Sequence, residues 1–337
     1  MRFLAISDTH LGYEAGSTSK VRKFVFEHMF NAFENVLDIA RYEKVDYVLH
    51  GGDLFNRSNP PKKVIARTYQ ILEDLLKDDI GFMIAPGNHE RSALPVTLLN
   101  YHPKSHFFTK LTLLDLEDCF LIGFPFQKEI TKSFLDELNR LCKQNIRKPL
   151  IILCHQLFDG VMFSPKKFRF GLQHGAIDPL PLPNNIELII SGHIHRSQKL
   201  LNDLILYPGS IERTSFIEII EPKGCSLIEI NSEKISAQFH ILEALQMNVI
   251  EINLLKEEFD INHIKNSVFK GYTRTLLRFT GRNFTPIEFK LLRETFPTAD
   301  YPLLTINPKF DNQILQPLYE NNLLPFETPN IVKILKH

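Results

Sequence analysis

The sequence lacks the cysteine pattern of a disulfide framework or of a thiolate metal site. Its four cysteines are scattered through the chain, and no two of them are spaced as Cys-x-x-Cys: Cys119, Cys142, Cys154 and Cys225. Disulfide frameworks belong mainly to small secreted domains, whereas a chain of 337 residues is long enough to bury a core of its own. We therefore expect four reduced thiols and a cytoplasmic protein.

A net charge and a membrane-spanning run are absent as well. The 39 basic and 39 acidic side chains balance, so any affinity for nucleic acid must come from a local basic face. The chain opens directly on a strand-like run, so we expect no secretory signal peptide. No apolar run reaches the length that crosses a bilayer, so we expect no association with membranes.

The sequence does contain a series of short apolar runs that each end in polar side chains. The run from Val45 to Leu49 reads as a buried strand, and it leads through two glycines to Asp53. Four other runs end similarly, delivering Asp8-Thr9-His10, Asn88-His89-Glu90, His155 and Gly192-His193-Ile194-His195. Because ligands bind at the carboxyl ends of strands in open α/β sheets, we expect these ends to converge. Convergence would supply seven oxygen and nitrogen ligands: Asp8, His10, Asp53, Asn88, His155, His193 and His195.

This ligand set is large enough for two divalent metal ions. Carboxylate and amide oxygens favour Mn²⁺ or Mg²⁺, whereas imidazoles favour Zn²⁺, Fe²⁺ or Mn²⁺. The many imidazoles argue against Mg²⁺, and the lack of thiolate ligands argues against a closed structural zinc site. A carboxylate such as Asp53 can bridge two ions, and paired ions polarise a phosphate ester and activate water. The predicted reaction class is metal-assisted hydrolysis of a phosphate ester.

The order of the elements predicts an α/β fold. Strand-like runs alternate with two amphipathic segments, 20–42 and 61–77, which we predict to be helices. Such a β-α-β-α-β order implies parallel inner strands with helices outside them. The later runs, including 225–230 and 235–242, are predicted to form a second, more mixed sheet, and 156–185 is predicted to be a long loop. The expected architecture is a two-sheet sandwich flanked by helices.

A domain boundary is expected between Leu242 and Met247. The first domain then covers residues 1–243 and carries all the candidate ligands. The second, 247–337, is predicted to be a smaller α+β capping domain, built on a strand at 273–280, a helix at 286–296 and a strand at 303–308. Its last stretch, 311–337, contains no clear long helix.

The motifs resemble the calcineurin-type metallophosphoesterase superfamily over the first 215 residues or so. Within it, three segments resemble the SbcD-type DNA double-strand-break repair nucleases: Ser7-Asp8-Thr9-His10-Leu11-Gly12-Tyr13, Gly52-Asp53-Leu54-Phe55 and Tyr207-Pro208-Gly209-Ser210-Ile211-Glu212-Arg213. The last segment discriminates best, because related phosphatases usually have other residues around their Pro-Gly-Ser.

The resemblance implies a role for each candidate. One ion would be held by Asp8, His10, Asp53 and His195, and the other by Asp53, Asn88, His155 and His193. His89 would be the catalytic residue, which stabilises the transition state or protonates the leaving 3′ oxygen. The family has Asp after this histidine, whereas Glu90 keeps a carboxylate, one methylene longer, that would orient the imidazole from behind the ligands.

The resemblance also implies an activity and partners. The activity is Mn²⁺-dependent 3′→5′ exonuclease cleavage of double-stranded DNA ends, with endonuclease cleavage of single strands. The partners are DNA, an SMC-like coiled-coil ATPase subunit and a second copy of the chain. Helices beside the active site, here 61–77 and 93–101, would form the homodimer.

Basic residues near the predicted strand ends are the candidates for DNA contact: Arg57, Lys62, Lys63, Arg91, Lys166, Lys167, Arg169 and Arg196. The run 166–170 interleaves charged and aromatic residues, as a loop that grips the backbone and stacks on bases would. A solvated loop with buried phenylalanines accounts for the same pattern, so both interpretations stay open.

Two other functions also stay open. A phosphatase or small-molecule phosphodiesterase would use the same metal site, although the segment from Tyr207 to Arg213 argues against it. A non-catalytic scaffold with the same fold would be expected to lack ligands, whereas this sequence has all seven.

Overall fold

The computed structural model describes most of the chain: residues 1–16, 18–90, 102–143, 148–163, 168–169, 171, 176–179, 182–231, 234–256, 258–268 and 273–307. The chain divides into two compact units, one of Met1–Glu14 with Phe24–Leu245 and the other of Ala15–Lys23 with the residues from Gln246 onward. Five sequence predictions lie outside the described residues, namely the helix at 93–101, Arg91, Lys166, Lys167 and the segment 311–337.

The first sheet of the first unit carries Asp8 and Asp53 beyond its strand ends. Its six strands, in spatial order, are β14 (Ile235–Leu242), β13 (Lys223–Ile230), β1 (Arg2–Ile6), β2 (Tyr47–His50), β3 (Gly81–Ile84) and β4 (Ser105–Phe107). Strands β1 to β4 are parallel, and helices α1 (Ser19–Tyr42) and α2 (Lys62–Lys77) connect the first three. This arrangement confirms the predicted β-α-β-α-β order.

The prediction that 225–230 and 235–242 belong to the second sheet was wrong. Strand β13 pairs antiparallel with β1, and β14 pairs antiparallel with β13, so both extend the first sheet. Strand β13 is buried over nearly its whole length and needs pairing partners on both sides. Either sheet could satisfy that need, and periodicity within a strand does not reveal which edge it joins.

The second sheet carries the three later histidines. Its strands, in spatial order, are β11 (Gln198–Leu200), β12 (Ile205–Tyr207), β10 (Ile186–Ser191), β7 (Leu150–Cys154), β6 (Phe120–Gly123) and β5 (Thr112–Asp115). The four inner strands are parallel, and helix α3 (Lys132–Cys142) connects β6 to β7. Within the predicted loop, β8 (Met162–Phe163) and β9 (Phe168–Arg169) form a short antiparallel pair.

The two sheets pack face to face because their strands direct alternate apolar side chains to opposite sides. On β1, Phe3 and Ala5 belong to the core between the sheets, whereas Leu4 and Ile6 pack against α1 and α2. Strand β7 alternates in the same way between that core and α3. The predicted two-sheet α/β sandwich flanked by helices is therefore confirmed. All four cysteines are buried and free.

The second unit is a three-stranded parallel sheet with two helices. Its elements, in chain order, are β15 (Met247–Asn253), α4 (Ile261–Ser267), β16 (Arg274–Thr280), α5 (Pro286–Thr295) and β17 (Leu304–Asn307). The predicted strand-helix-strand is the second half of this β-α-β-α-β unit, and β15 and α4 were not predicted. Among the described residues of the whole chain, no helix is both long and apolar enough to cross a membrane.

Candidate metal centre

The seven predicted ligands lie together where the central strands of both sheets end. Strand β1 leads to Asp8 and His10, β2 to Asp53, β3 to Asn88, β7 to His155, and β10 to His193 and His195. Five of the seven line a pocket of about 260 Å³ together with other residues; its lining is His10, Tyr13, Asp53, Asn56, Asn88, His89, His193, His195 and Thr214. Four of the five sequence motifs therefore supply residues to one cavity, and the fifth, His155, lies beside it, 3.1 Å from Asn88.

Three of the ligands form a first cluster. Nε2 of His10 lies 3.0 Å from Nε2 of His195, and the latter lies 4.0 Å from Oδ1 of Asp8. One donor atom from each of these residues falls within 4.8 Å of the others. This spacing allows all three side chains to bind one ion.

A second cluster lies beside the first. Oδ1 of Asn88 is 3.1 Å from Nε2 of His155 and 2.9 Å from Nδ1 of His193, and those two ring nitrogens are 3.1 Å apart. The Asp53 carboxylate groups with Asp8 and His155 on one side and with His10 and His89 on the other. Asp53 thus lies within reach of residues of both clusters.

Two candidate ligand atoms of the second cluster face one another in a way that a cation would satisfy. Nδ1 of His155 donates to the carbonyl oxygen of Gly51 at 2.7 Å, so Nε2 of this ring carries a lone pair. That lone pair faces the amide oxygen of Asn88, which is also an acceptor. A hydrogen bond cannot join two acceptors, whereas a divalent cation can bind both.

The protonation states of the candidate ligands also favour the binding of metal ions. Burial lowers the pKa of both His155 and His193 to about 3, which keeps the two imidazoles in the neutral form that binds metals. Burial raises the pKa of Asp8 to about 7 and raises the pKa of Asp53 too, and the closeness of the two buried carboxylates adds to the effect on Asp8. Bound cations would stabilise both carboxylates, so the residues fit a pair of divalent metal ions.

The backbone is turned sharply at several ligands. Asp8, His10, Asp53 and His193 have φ angles of 50°, 45°, 55° and 84°, in the left-handed region that residues other than glycine rarely adopt. The loops after β1 and β2 hold one another, since the amide of Asp8 donates to the Gly52 carbonyl at 2.9 Å. Such conformations persist where the surrounding structure enforces them, typically at functional sites.

Two glycines allow the two sheets to meet beneath the ligands. A Cβ atom at Gly192 would collide with the Gly51 carbonyl oxygen and would lie 2.8 Å from Nδ1 of His155. Only glycine lets the loop before His193 approach the loop before Asp53 so closely.

His50 links the ligand loops through buried hydrogen bonds, and the sequence analysis did not identify it as a functional residue. Its Nδ1 accepts from the amide of Gly52 at 3.1 Å, so Nε2 carries the proton and donates to Oγ1 of Thr9 at 3.1 Å. The Thr9 hydroxyl then donates to the Leu54 carbonyl at 3.0 Å. This chain of hydrogen bonds ties the loop of Asp8 to the loop of Asp53.

The predicted orienting role of Glu90 was wrong in its detail. The Glu90 carboxylate is buried and accepts from the amides of Asp53, Gly87 and Phe55 at 2.7–2.9 Å. Nδ1 of His89 instead donates to the carbonyl oxygen of Asn56 at 2.8 Å. Glu90 thus binds backbone amides and holds the Asp53 loop, while a backbone carbonyl orients the imidazole.

The segment from Tyr207 to Arg213 stabilises the loops beside the first cluster through hydrogen bonds to backbone carbonyl groups. The Tyr207 hydroxyl donates to the Gln156 carbonyl next to His155, and the Ser210 amide donates to the His195 carbonyl. The Arg213 guanidinium donates to three backbone carbonyl oxygens, those of Glu218, Glu221 and Leu245. These residues fix the ligand loops and do not line the pocket.

The basic candidates in the described part of the chain lie in different settings. Arg57, Lys62 and Lys63 are exposed, whereas Arg196, directly after His195, is half-buried. Lys63 also lies over the ring of Phe26, with 4.7 Å from Nζ to the ring centroid. Arg169 lies in β9.

Comparison with known proteins identifies relatives of the chain. A component of the nuclease SbcCD from Staphylococcus saprophyticus is 24% identical over 293 residues, covering 79% of this chain and 76% of that protein. A "DNA double-strand break repair protein Mre11" from Sulfolobus acidocaldarius is 26% identical over 351 residues, covering 100% of this chain and 86% of that protein. Among solved structures, a dimetal phosphatase from Danio rerio is 11% identical with a TM-score of 0.49, covering 71% of this chain and 95% of its own.

The family model described as "Calcineurin-like phosphoesterase" matches residues 1–197, which is more than half of the chain. The matched region contains every strand that leads to a predicted ligand. As the sequence motifs predicted, this chain belongs to the calcineurin-like phosphoesterase family.

Proposed function

We propose that this chain is the nuclease component of a DNA double-strand-break repair complex, which hydrolyses phosphodiester bonds with two Mn²⁺ ions. The observation that carries the proposal is the clustering of all seven candidate ligands, five of which line one pocket together with His89. Two relatives that match most of the chain, named as part of a nuclease and as a double-strand-break repair protein, support DNA as the substrate.

Two groups of side chains would hold the ions. Asp8, His10 and His195 would bind one ion, Asn88, His155 and His193 would bind the other, and Asp53 would bridge them. The bound ions would supply Lewis acidity and an activated water for attack on phosphorus. The protein supplies the fixed positions of the ligands, through the paired loops and the glycine contact beneath them.

His89 is the proposed catalytic residue. Its Nδ1 is engaged with the Asn56 carbonyl, and its Nε2 lies 3.8 Å from Oδ2 of Asp53 at the wall of the pocket. The carbonyl holds the proton on Nδ1, so a second proton on Nε2 can pass to the leaving 3′ oxygen of the scissile nucleotide. In this proposal His89 acts from beside the ions and is not one of their ligands.

The proposed activities are 3′→5′ exonuclease cleavage of duplex ends and endonuclease cleavage of single strands. Arg57 and Arg196 are proposed to contact DNA phosphates. They directly follow the pocket residues Asn56 and His195 in the sequence. The proposed assembly is a homodimer bound to an SMC-like coiled-coil ATPase, and the second unit would serve as a capping and DNA-binding domain.

The test compares His89→Gln with the wild-type chain on a labelled duplex end in the presence of Mn²⁺. We expect two ions per chain in both proteins and loss of cleavage in the variant, because the side chain that supplies the proton is gone. His263→Gln, at an exposed position in α4, is the matched control and should cleave like wild type.

Three outcomes would count against the proposal. Unchanged cleavage by His89→Gln would remove the catalytic role of this residue. Preference for a cyclic nucleotide over linear DNA, in parallel assays, would favour a small-molecule phosphodiesterase. Fewer than one metal ion per wild-type chain would favour a non-catalytic scaffold.

A further inference from the structure

A buried lysine lies directly behind the first ligand cluster. The Lys223 side chain is fully buried, and its Nζ lies 2.6 Å from Oε2 of Glu218 and 3.2 Å from Oε2 of Glu221. The same ammonium group donates to Oγ of Ser210 at 2.9 Å and to the carbonyl oxygen of His195 at 3.0 Å. Burying an ammonium group is costly unless it is paired and hydrogen-bonded, and here it is both.

The Glu218 carboxylate connects this lysine to a candidate metal ligand. Its Oε1 lies 3.2 Å from Nδ1 of His195 and accepts from the Thr214 hydroxyl and the Ser215 amide at 3.0 and 3.1 Å. Its Oε2 faces Lys223. With partners on both oxygens, the carboxylate has a single well-defined orientation.

His195 is consequently held at two points, at its ring by Glu218 and at its backbone carbonyl by Lys223. An ionised carboxylate only accepts hydrogen bonds, so Nδ1 of His195 carries the ring proton and Nε2 carries the lone pair. That nitrogen lies 3.0 Å from Nε2 of His10, so the two rings would bind the same cation. Hydrogen bonding of the second ring nitrogen to a carboxylate is what fixes the tautomer of metal-bound histidines.

We infer that Glu218, held in place by Lys223, is a positioning residue that prepares His195 to bind a metal ion. The inference rests on the proposed function, because it takes His195 to be a metal ligand. Lys223 balances the charge of Glu218 and fixes the backbone of the residue that Glu218 orients. Glu221 shares the lysine, but its one described contact there is with Nζ and not with the His195 ring.

The test compares Glu218→Met with Glu221→Met in the full chain. Each substitution removes one carboxylate beside Lys223 and leaves the other as its partner, so each variant keeps one buried ion pair. Only Glu218→Met removes the acceptor for His195. Calorimetric titration with Mn²⁺ should show one of the two ions bound about 10–100-fold more weakly in Glu218→Met. Binding by Glu221→Met should match wild type.

Each alternative result has a distinct meaning. Equal binding of two ions by wild type and Glu218→Met would overturn the inference and leave the proposed function intact. Equal weakening in both variants would also overturn it, because loss of either carboxylate would then disturb the whole cluster. A wild-type chain that binds fewer than one ion would overturn the proposed function itself, and this inference with it.

A second measurement needs no substitution at Glu218, in case that variant fails to fold. Long-range ¹H–¹⁵N spectra of the metal-free chain with labelled histidine, in mildly alkaline buffer, report which ring nitrogen carries the proton. The signal of His195, assigned from its absence in His195→Gln, should have the pattern of the Nδ1–H tautomer. The Nε2–H pattern would overturn the inference.

Discussion

Replacing Gly192 by alanine tests whether the contact between the two sheets sets up the metal centre. The backbone at this position does not have a positive φ, so alanine is conformationally allowed and only the added methyl group matters. That methyl group would collide with the Gly51 carbonyl and lie 2.8 Å from Nδ1 of His155. It would therefore occupy the position of the hydrogen bond that orients His155.

The substitution should lower the stability of the fold, because the methyl group collides with a backbone oxygen that cannot rotate away. Overpacking a rigid site costs about 1–3 kcal/mol, and each kcal/mol lowers the Tm of a domain of this size by about 2–4 °C. Thermal unfolding in the presence of EDTA should therefore show a Tm that is lower by about 2–12 °C. Affinity for Mn²⁺ should fall about 10–100-fold, because the orientation of His155 is lost.

The reciprocal variant Gly51→Ala provides the matched comparison. Its methyl group would lie 2.9 Å from the amide nitrogen of Gly192 and 3.2 Å from the side chain of Ser7, which is a milder overlap. We expect a smaller loss of both stability and metal affinity. A Gly192→Ala variant that matches wild type, or one less damaged than Gly51→Ala, would refute the reasoning.

Three further predictions concern the free energy of unfolding and the binding of Mn²⁺. His50→Phe should lower the free energy of unfolding by about 1–3 kcal/mol in urea titration, because the Gly52 amide and the Thr9 hydroxyl lose their buried partner; an unchanged midpoint would contradict the support role of His50. Mn²⁺ at about 100 times its Kd should stabilise the chain by about 2.7 kcal/mol per site, and EDTA should abolish the gain; equal unfolding with and without Mn²⁺ would contradict a preformed site. Thr285→Ala should destabilise the second unit by about 1 kcal/mol, since the hydroxyl caps α5 through the Glu288 amide. Mn²⁺ binding by Thr285→Ala should stay unchanged, and a loss of binding would show that the metal centre depends on α5.

The meeting of the seven candidate ligands could be predicted because each follows a recognisable strand. An apolar run and the residue after it are both visible in a sequence, and parallel strands bring such ends to one edge. Asp8 and His195 lie far apart in the chain, yet the rule places them together. The sheet to which each strand belongs was harder to predict. The apolar pattern of β13 would be the same in either sheet, so the sequence did not show that it joins the first.

The supporting residues could not be predicted, for a different reason. The group that orients His89 is the backbone carbonyl of Asn56. Every residue carries such a carbonyl, so no side-chain pattern in the sequence identifies this contact. Glu218 and His50 are single residues without a spacing signature, and only the fold brings them beside their partners. The contacts of Glu90 could not be predicted either, because the backbone amides that its carboxylate accepts from are brought to it only by the fold.

The most direct test of the two-metal account is anomalous diffraction from crystals of the chain grown with Mn²⁺. The account predicts two peaks about 3.5–4 Å apart, on either side of the Asp53 carboxylate. One peak should contact His10 and His195, and the other should contact Asn88 and His155. An empty pocket, or an ion bound by His89 in place of either group, would contradict it.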